Sequence, residues 1–559
     1  MYSVNDEGMF RKFILYVNTI KYLKLQQITG QLCKKFRMKK CFCGDIPPTC
    51  IKNAVGHKFH LFIDELDGDS GYLSRFDIEQ IMNNHICLLN EQHDLNLSTW
   101  EVPAQHLWRF NLHYFEYAVA LGMAYRRTKE PKYFAKFKSL VKSWIRANPI
   151  WCRDAWHPYT ISMRIPNWLI CFDLFEEAFI TDRDFQTLTY ESIYRQYKTL
   201  AMRLETWQLG NHYLENLKTM VLCSLLFRDE AAYSVYIRKF LAEVEAELLA
   251  DGFHFELSPM YHHIILEDLL RVSYALKQVE AVEYDQLQTF VKKMTDAMAS
   301  LEKGLNRVPL FNDSGEGVAK SKAALMAAAM RICEIHPRET EILRESGYFR
   351  LQAGDLAAIV DSGLLGPDYM PGHGHCDCLS FELFYKGNPI FVNAGTYKYQ
   401  GKERKYFRST AAHNTVMVNN HEQSELWGEH RAARRVRVEL VSAGKTAFKG
   451  SCESYLGENH VRKIELTEKS LQITDYTTGT AKSFLHLAPG LHYRNGRISG
   501  ADVDISVRLM DANVELIECK YSETFGRLED IECLVFSWGN DGKEHGYKLI
   551  LNEGEKYNG

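Results

Sequence analysis

The sequence predicts an α+β multidomain fold, a helical region first and an antiparallel β-sandwich after it. Three observations predict it. The chain has 559 residues, more than one hydrophobic core organises, so several domains are expected. From about residue 100 to residue 345 apolar residues recur at three- and four-residue spacing, the helical period. From about residue 346 the texture changes to short alternating or β-branched runs between Gly, Asn and Asp turns.

Residues 1–99 read as an N-terminal extension. Its segment Phe10–Arg37 is basic and amphipathic. That suits a peripheral membrane contact or, preferred here, a helix docked on the body of the protein. The opening MYSVNDEGMFRKFILYVNTI starts acidic and has only about five apolar residues in a row, short of the roughly 7–15 of an export signal. A cytoplasmic location is expected, or a periplasmic one if the native N-terminus differs. No apolar run approaches the ~20 residues of a membrane span.

In residues 100–345, LHYFEYAVALGMAYRRT, YFAKFKSLVKSWIRAN, IPNWLICFDLFEEAF and HYLENLKTMVLCSLLF read as amphipathic helices. Asn and Pro separate them, as in ANPIW and RIPNW. Such helical hairpins fit a bundle, a solenoid or an α/α toroid. A linker near His336–Gly347 leads to residues 346–559, where roughly fifteen short strands would make a large antiparallel sandwich.

A net charge of −4 argues against a nucleic-acid or general anionic-surface binder. Any grip on an acidic ligand is therefore local. The close pairs among the fourteen cysteines, Cys41–Cys43 and Cys376–Cys378, lack the spacing of a structural zinc site, and reduced thiols are expected.

Four stretches carry candidate chemistry. In PGHGHCDCLSF, His373, His375 and Asp377 are two apart, which in an extended segment puts them on one face. Such a face suits a metal, a proton transfer or a tight hydrogen-bond network. In GNHYLE, Asn211 and Glu215 share a helix face beside His212. Asn211 sits near a helix N-terminus that favours an anion, or it is an N-cap. In SPMYHH, Ser258-Pro259 starts a helix with Tyr261, His262 and His263 in its first turn. The dipole there would favour an ionised phenol for proton transfer; a packed Tyr with its hydroxyl bonded is the alternative. In DAWHPYTISMRIPNWL, aromatic rings could stack on sugars and Arg164 could pair with a carboxylate, or the stretch is core. Arg404, Lys405 and Arg408 form a basic run suited to an anionic chain or to a solvated face. Tyr397, Tyr399 and Trp427 are further candidate sugar contacts.

Taken together, GNHYLEN, SPMYHH, WHPYTISMRIPNW and GHGHCDCLSFELFYKGNPIFVNAGTY followed by TAAHNTV resemble the heparinase II/III family of polysaccharide lyases. The resemblance covers about residues 100–430, with the motifs in the same order. It implies an incomplete (α/α) toroid over 100–345, a β-sandwich over 346–559, and an active site in the cleft between them. It implies β-elimination of a uronic-acid-containing, anionic polysaccharide. Asn211 then hydrogen-bonds the uronate carboxylate, helped by His212 or Arg164. Tyr261 is the acid, and also the base where proton and leaving group share a side. His373 is the base or a neutralising partner, and Tyr397, Arg408 and Trp427 are expected substrate contacts.

His375 and His413 match positions where members hold a structural metal, often zinc. Asn393, in VNAGTY, stands where the family usually has Asp, and a neutral amide is a poorer ligand. Zinc or another divalent cation on His375, Asn393 and His413 is one expectation, a hydrogen-bonded His–Asn–His cluster the other. No organic cofactor is expected. Two other classes fit: a metal-dependent hydrolase, since HxH with a downstream His suits water activation, and a non-catalytic protein of surface-polysaccharide assembly.

Overall fold

The computed structural model describes residues 4–150, 154–340, 342–500 and 503–552, with side chains from residue 11 onward. Two helices, Val4–Ile20 and Leu25–Arg37, come first, and a two-stranded hairpin, His85–Leu88 with Glu91–Asp94, follows. Leu89 and Asn90 form its two-residue turn with both φ angles positive, as a tight hairpin demands. The alternation of HICLLNEQHD was its signal, and reading 1–99 as a helical extension had passed over it.

Helices follow one another from His106–Tyr114 to Lys322–Cys333. Their inward faces form a core around the fully buried rings of Trp108, Trp144 and Trp168. RIPNW does not punctuate these helices: Pro166 lies inside the continuous helix Pro158–Leu174. A proline there leaves the carbonyl four residues earlier without its amide partner. That carbonyl, Ser162, instead accepts the Thr219 hydroxyl at 2.8 Å from the neighbouring helix Gly210–Phe227.

Besides the hairpin turned at Leu89–Asn90 and a second two-stranded pair, Leu426–Trp427 with Arg431–Ala432, the described strands form three larger antiparallel sheets. The first is a meander from Ile342–Leu343 to Asn388–Phe391. An eight-stranded sheet runs from Arg437–Ala443 at one edge to His492–Arg494 at the other, and a four-stranded sheet orders Asn513–Tyr521, Glu529–Trp538, Ala481–His486 and Val416–Val418. Their facing apolar side chains, among them Phe381, Ile464, Ile473, Leu485 and Phe536, make one core. Within it Arg462 holds Asp475 through two bonds of 2.8 and 3.0 Å, and His460 adds a third at 2.8 Å. The protein is thus α+β, with helices and sheets in separate halves. Among the described residues no helix is long and apolar enough to cross a membrane.

Candidate active site

A cleft of roughly 990 Å³ lies where the helices meet the sheets, and Asn211, Tyr261 and His373 all line it. Each arrives from a different element. Asn211 is in the first turn of Gly210–Phe227. Gly210 has φ +59°, a left-handed conformation that glycine adopts without steric cost, and it opens the helix beside the HGH loop. Asn211 is not an N-cap. Its backbone N–H donates to Glu256 Oε1 at 3.1 Å and its Nδ2 to Glu256 Oε2 at 3.0 Å. Both bonds hold the amide toward His373, whose Nε2 is 3.3 Å from Asn211 Nδ2.

Tyr261 stands in the first turn of Pro259–Gln278, whose N-cap Ser258 accepts the Tyr261 N–H at 3.2 Å. Its ring packs 4.0 Å from the His373 ring, and its hydroxyl meets that of Tyr399 at 2.9 Å. Of the two readings of Tyr261, the buried and hydrogen-bonded phenol is the one found. Burial raises the Tyr261 hydroxyl well above its ordinary value, outweighing the bond from Tyr399, so the phenol is held protonated.

His373 lies in a coil that precedes the strand Phe381–Tyr385. Although that coil is not a strand, the two-residue spacing still turns three side chains to one side. His373 Nδ1 is 2.8 Å from Asp313 Oδ2, His375 Nε2 is 2.9 Å from Asp313 Oδ1, and Asp377 Oδ2 accepts the Asn312 N–H at 2.9 Å. Burial alone would raise the Asp313 carboxyl. Arg404 and the two imidazoles reverse this and hold it well below the carboxylate range. An ionised Asp313 accepts a hydrogen bond from the Nδ1–H of His373, and the Asn211 amide donates toward Nε2. The network therefore assigns the tautomer with the proton on Nδ1 and the lone pair on Nε2, where it accepts from Asn211 with Glu256 Oε2 3.5 Å away.

Other expected residues separate into two groups. His212, Tyr397 and Trp427 line the cleft. His212 is anchored by Glu205 at 3.2 Å and packs on Tyr159, and Trp427 donates to the Thr19 hydroxyl at 2.9 Å. Arg164 and Arg408 do not reach it. Arg164 is fully buried, bonded to Gln196 and to the His113 carbonyl, over the Trp144 ring. Arg408 spends its donors on the carbonyls of Gly374, Glu429 and Pro371, bracing the HGH loop. Arg404 is likewise buried against Asp313. The basic run is thus an internal clamp, with only Lys405 exposed among its three cations.

The expected metal ligands also change. His375 Nδ1 and both nitrogens of His413 are buried without a partner. The acid that closes on them is Asp377, and the three ligand atoms lie within 4.8 Å of one another. Asn393 gives its Oδ1 to the Asn414 N–H at 3.1 Å instead. The residues that motif reading missed are Asp313 and Glu256, which orient His373 and Asn211.

Comparison with known proteins bears on residues 69–541 through two family models. The heparinase II/III N-terminus model matches residues 69–343, and the heparinase II/III-like C-terminal model matches residues 336–541. The chain belongs to the heparinase II/III family. Within this family it is similar to a heparin-sulfate lyase of Pedobacter heparinus, 24% identical over 363 residues, or 58% of this chain and 54% of that protein. It thus spans about half the length of that curated relative. A heparin-sulfate lyase of Bacteroides stercoris is 22% identical over 75% of this chain and 68% of its own length. The heparinase II/III fold is shared with a mutant of heparan sulfate lyase HepC from Pedobacter heparinus, at TM-score 0.61 and 18% identity over 95% of this chain and 88% of that one. A heparinase III structure aligns at TM-score 0.67 and 16% identity over 93% and 89%.

Proposed function

We propose that this chain is a polysaccharide lyase that cleaves a uronic-acid-containing polysaccharide, glycosaminoglycan-like or bacterial capsular, by β-elimination. The observation that carries the reading is the convergence of the Asn211 amide, the Tyr261 hydroxyl and the Nε2 of His373 in the cleft. The relatives named above, themselves heparin-sulfate lyases, support it.

The proton on C5 of a uronate is weakly acidic because its removal loads charge onto a group that is already an anion. A preorganised donor at the carboxylate stabilises the enolate-like intermediate, an effect of about 3 kcal/mol for a single well-placed group. Asn211 supplies that donor by turning the N–H it aims at His373 Nε2 onto the carboxylate, which also bares the Nε2 lone pair. His373 Nε2 takes the C5 proton, and the electron pair of the C–H bond forms the C4–C5 double bond. The C4–O4 bond breaks with its electrons on O4, and the protonated Tyr261 delivers its proton there. The proton on His373 then passes to the Tyr261 phenolate, one ring contact away, and both groups are reset.

The same reading assigns a divalent cation, zinc by preference, to His375, Asp377 and His413. The unpartnered nitrogens and the adjacent acid fit an N/O donor set, and the bond from His375 Nε2 to Asp313 is the outer carboxylate such ligands use. Bound there, the ion would brace the loop that carries His373. The three residues are buried and do not line the cleft, which disfavours a water-activating hydrolase.

The test is a screen of heparan-, hyaluronan-, alginate-like and capsular chains for near-ultraviolet absorbance of the unsaturated product. Absorbance should rise with one class and vanish in His373→Ala. Cleavage without the new double bond would refute elimination. Metal analysis of His413→Gln beside the parent checks the cation.

A further inference from the structure

We propose that His486, Cys519 and Cys533 form a second metal site, a Cys2His set for zinc or another thiolate-binding divalent ion. The three lie on neighbouring strands of the four-stranded sheet. His486 is directly opposite Cys533, and Cys519 pairs with Ile531, two residues before Cys533 on the same strand. This register puts all three side chains on one face. It is the face turned away from the sandwich core, where Phe484, Cys533 and Val535 make their own small cluster. The ligand atoms lie within 4.8 Å of one another. A tetrahedral zinc with bonds of about 2.0–2.3 Å needs donors roughly 3.5–3.8 Å apart, so small side-chain rotations close the set.

The imidazole is prepared for this. His486 is fully buried, its Nδ1 lies 3.1 Å from Asn414 Oδ1, and its Nε2 has no partner. The amide oxygen fixes the proton on Nδ1 and leaves the Nε2 lone pair bare, as in a histidine that ligates through Nε2. An unsatisfied buried acceptor is costly, and a cation on the two free thiols would satisfy it. Asn414 follows His413, and Tyr406, beside Cys519, sits on the helix Lys402–Phe407 that carries Arg404. An ion here would fasten that helix to the sheet, from behind the Arg404–Asp313 pair.

The test uses the full chain loaded with zinc or cobalt(II). The parent should hold one more equivalent than Cys533→Ser, and the cobalt form should show a thiolate-to-metal charge-transfer band that Cys533→Ser loses and His413→Gln keeps. Equal metal content with no such band overturns the site, as does a Cys519–Cys533 disulfide found by mass. Should Cys533→Ser not fold, alkylation of the parent decides. The two thiols should react only after a chelator is added, and equal reactivity with and without chelator overturns the proposal.

A second inference rests on a different surface. In the helix Leu25–Arg37, Gln27 reaches the Tyr369 carbonyl at 3.0 Å and Gly30 packs on Trp207. The apolar residues Leu25, Ile28, Leu32 and Phe36 form the outward stripe, with Leu32 80% exposed. A surface helix of a globular protein does the reverse. Phe13, Val17 and Ile20 of the preceding helix are exposed as well. Residues 11–40 hold nine Lys or Arg and no Asp or Glu, in a chain of net charge −4. We infer that this face seats on an anionic lipid surface, apolar stripe among the acyl chains and cations against the headgroups. Ile20 and Leu23 also border the cleft, so docking would set its mouth beside the bilayer.

Cosedimentation of the full chain with phosphatidylglycerol-containing vesicles, against phosphatidylcholine alone, tests this. Binding should require the anionic lipid, weaken with salt, and fall at least tenfold in the double variant Leu32→Glu/Phe36→Glu. No binding, or binding unchanged in the variant, overturns it. So does a parent dimer that the variant dissociates without any vesicle binding, which would show the stripe covered by a second copy.

Discussion

Arg404 Nη2 donates to Asp313 Oδ2 at 2.8 Å, and the same oxygen lies 2.8 Å from His373 Nδ1. One buried cation thus keeps ionised the acid that sets the tautomer of the cleft imidazole. The relationship makes the tautomer and orientation of His373 depend on two residues that do not belong to the proposed reacting trio.

Asp313→Asn should therefore lower kcat by about 10²–10⁴ with a much smaller change in KM. The amide would turn its N–H₂ toward Nδ1 and move the ring proton to Nε2. An unchanged kcat, or a loss expressed in KM alone, would count against the tautomer argument. Breaking the buried pair should also cost about 3–5 kcal/mol of stability, read separately by denaturant unfolding.

Tyr261→Phe removes one hydroxyl whose mapped partner is Tyr399. The fold should lose only about 1 kcal/mol, while turnover falls by about 10²–10⁴. Tyr399→Phe should reduce rate far less. If Tyr261→Phe retains full turnover, another group protonates the leaving oxygen.

Arg164→Met should act on stability and leave KM untouched. The guanidinium contacts Gln196, the His113 carbonyl and the Trp144 ring, so its loss should cost roughly 2–4 kcal/mol. Unchanged thermal midpoint with a raised KM would return this residue to the substrate.

Stability should fall as pH drops from about 6.5 toward 4. Burial lowers His113 and His262 to about 3 and His254 to about 4. Below the ordinary imidazole value the unfolded chain takes protons that the native state refuses. Each such group therefore costs ~1.4 kcal/mol per pH unit until its own native value is reached. Asp475, held near 2 despite burial by Arg462 and His460, has the depressed-acid sign. Its stabilisation is present above about pH 4 and is lost between there and 2. Denaturant midpoints at pH 7.5, 6 and 5 that coincide would contradict the imidazole part.

Local pattern revealed what depends on neighbours in sequence. The helix start at Ser258-Pro259, the glycine before Asn211 and the spacing of His373, His375 and Asp377 are all local signals, and the structure shows each in place. Asp313 and Glu256 were not legible. Each acts on a partner 45–60 residues away, and neither LFNDSG nor HFEL carries a period or motif that points across such a gap. Arg164 and Arg408 misled for a related reason. Sequence shows a cation among aromatic rings or other cations but not whether its donors meet backbone carbonyls or solvent. Pro166 broke a local rule because a hydroxyl on another helix, Thr219, makes good the missing bond.

The hairpin tip at Leu89–Asn90 reaches the far half of the molecule. Asn90 Nδ2 donates to the Phe525 carbonyl at 2.7 Å. Gly526, at φ +81°, lies so close to Leu89 that a Cβ would stand 2.0 Å from its carbonyl oxygen. Such a clasp resists a clam-like swing of the two halves at this end. Under the proposed lyase activity, a long glycan would have to thread past the tip or be met at its terminus, so that ten residues with no part in the chemistry would set the ratio of short to long products.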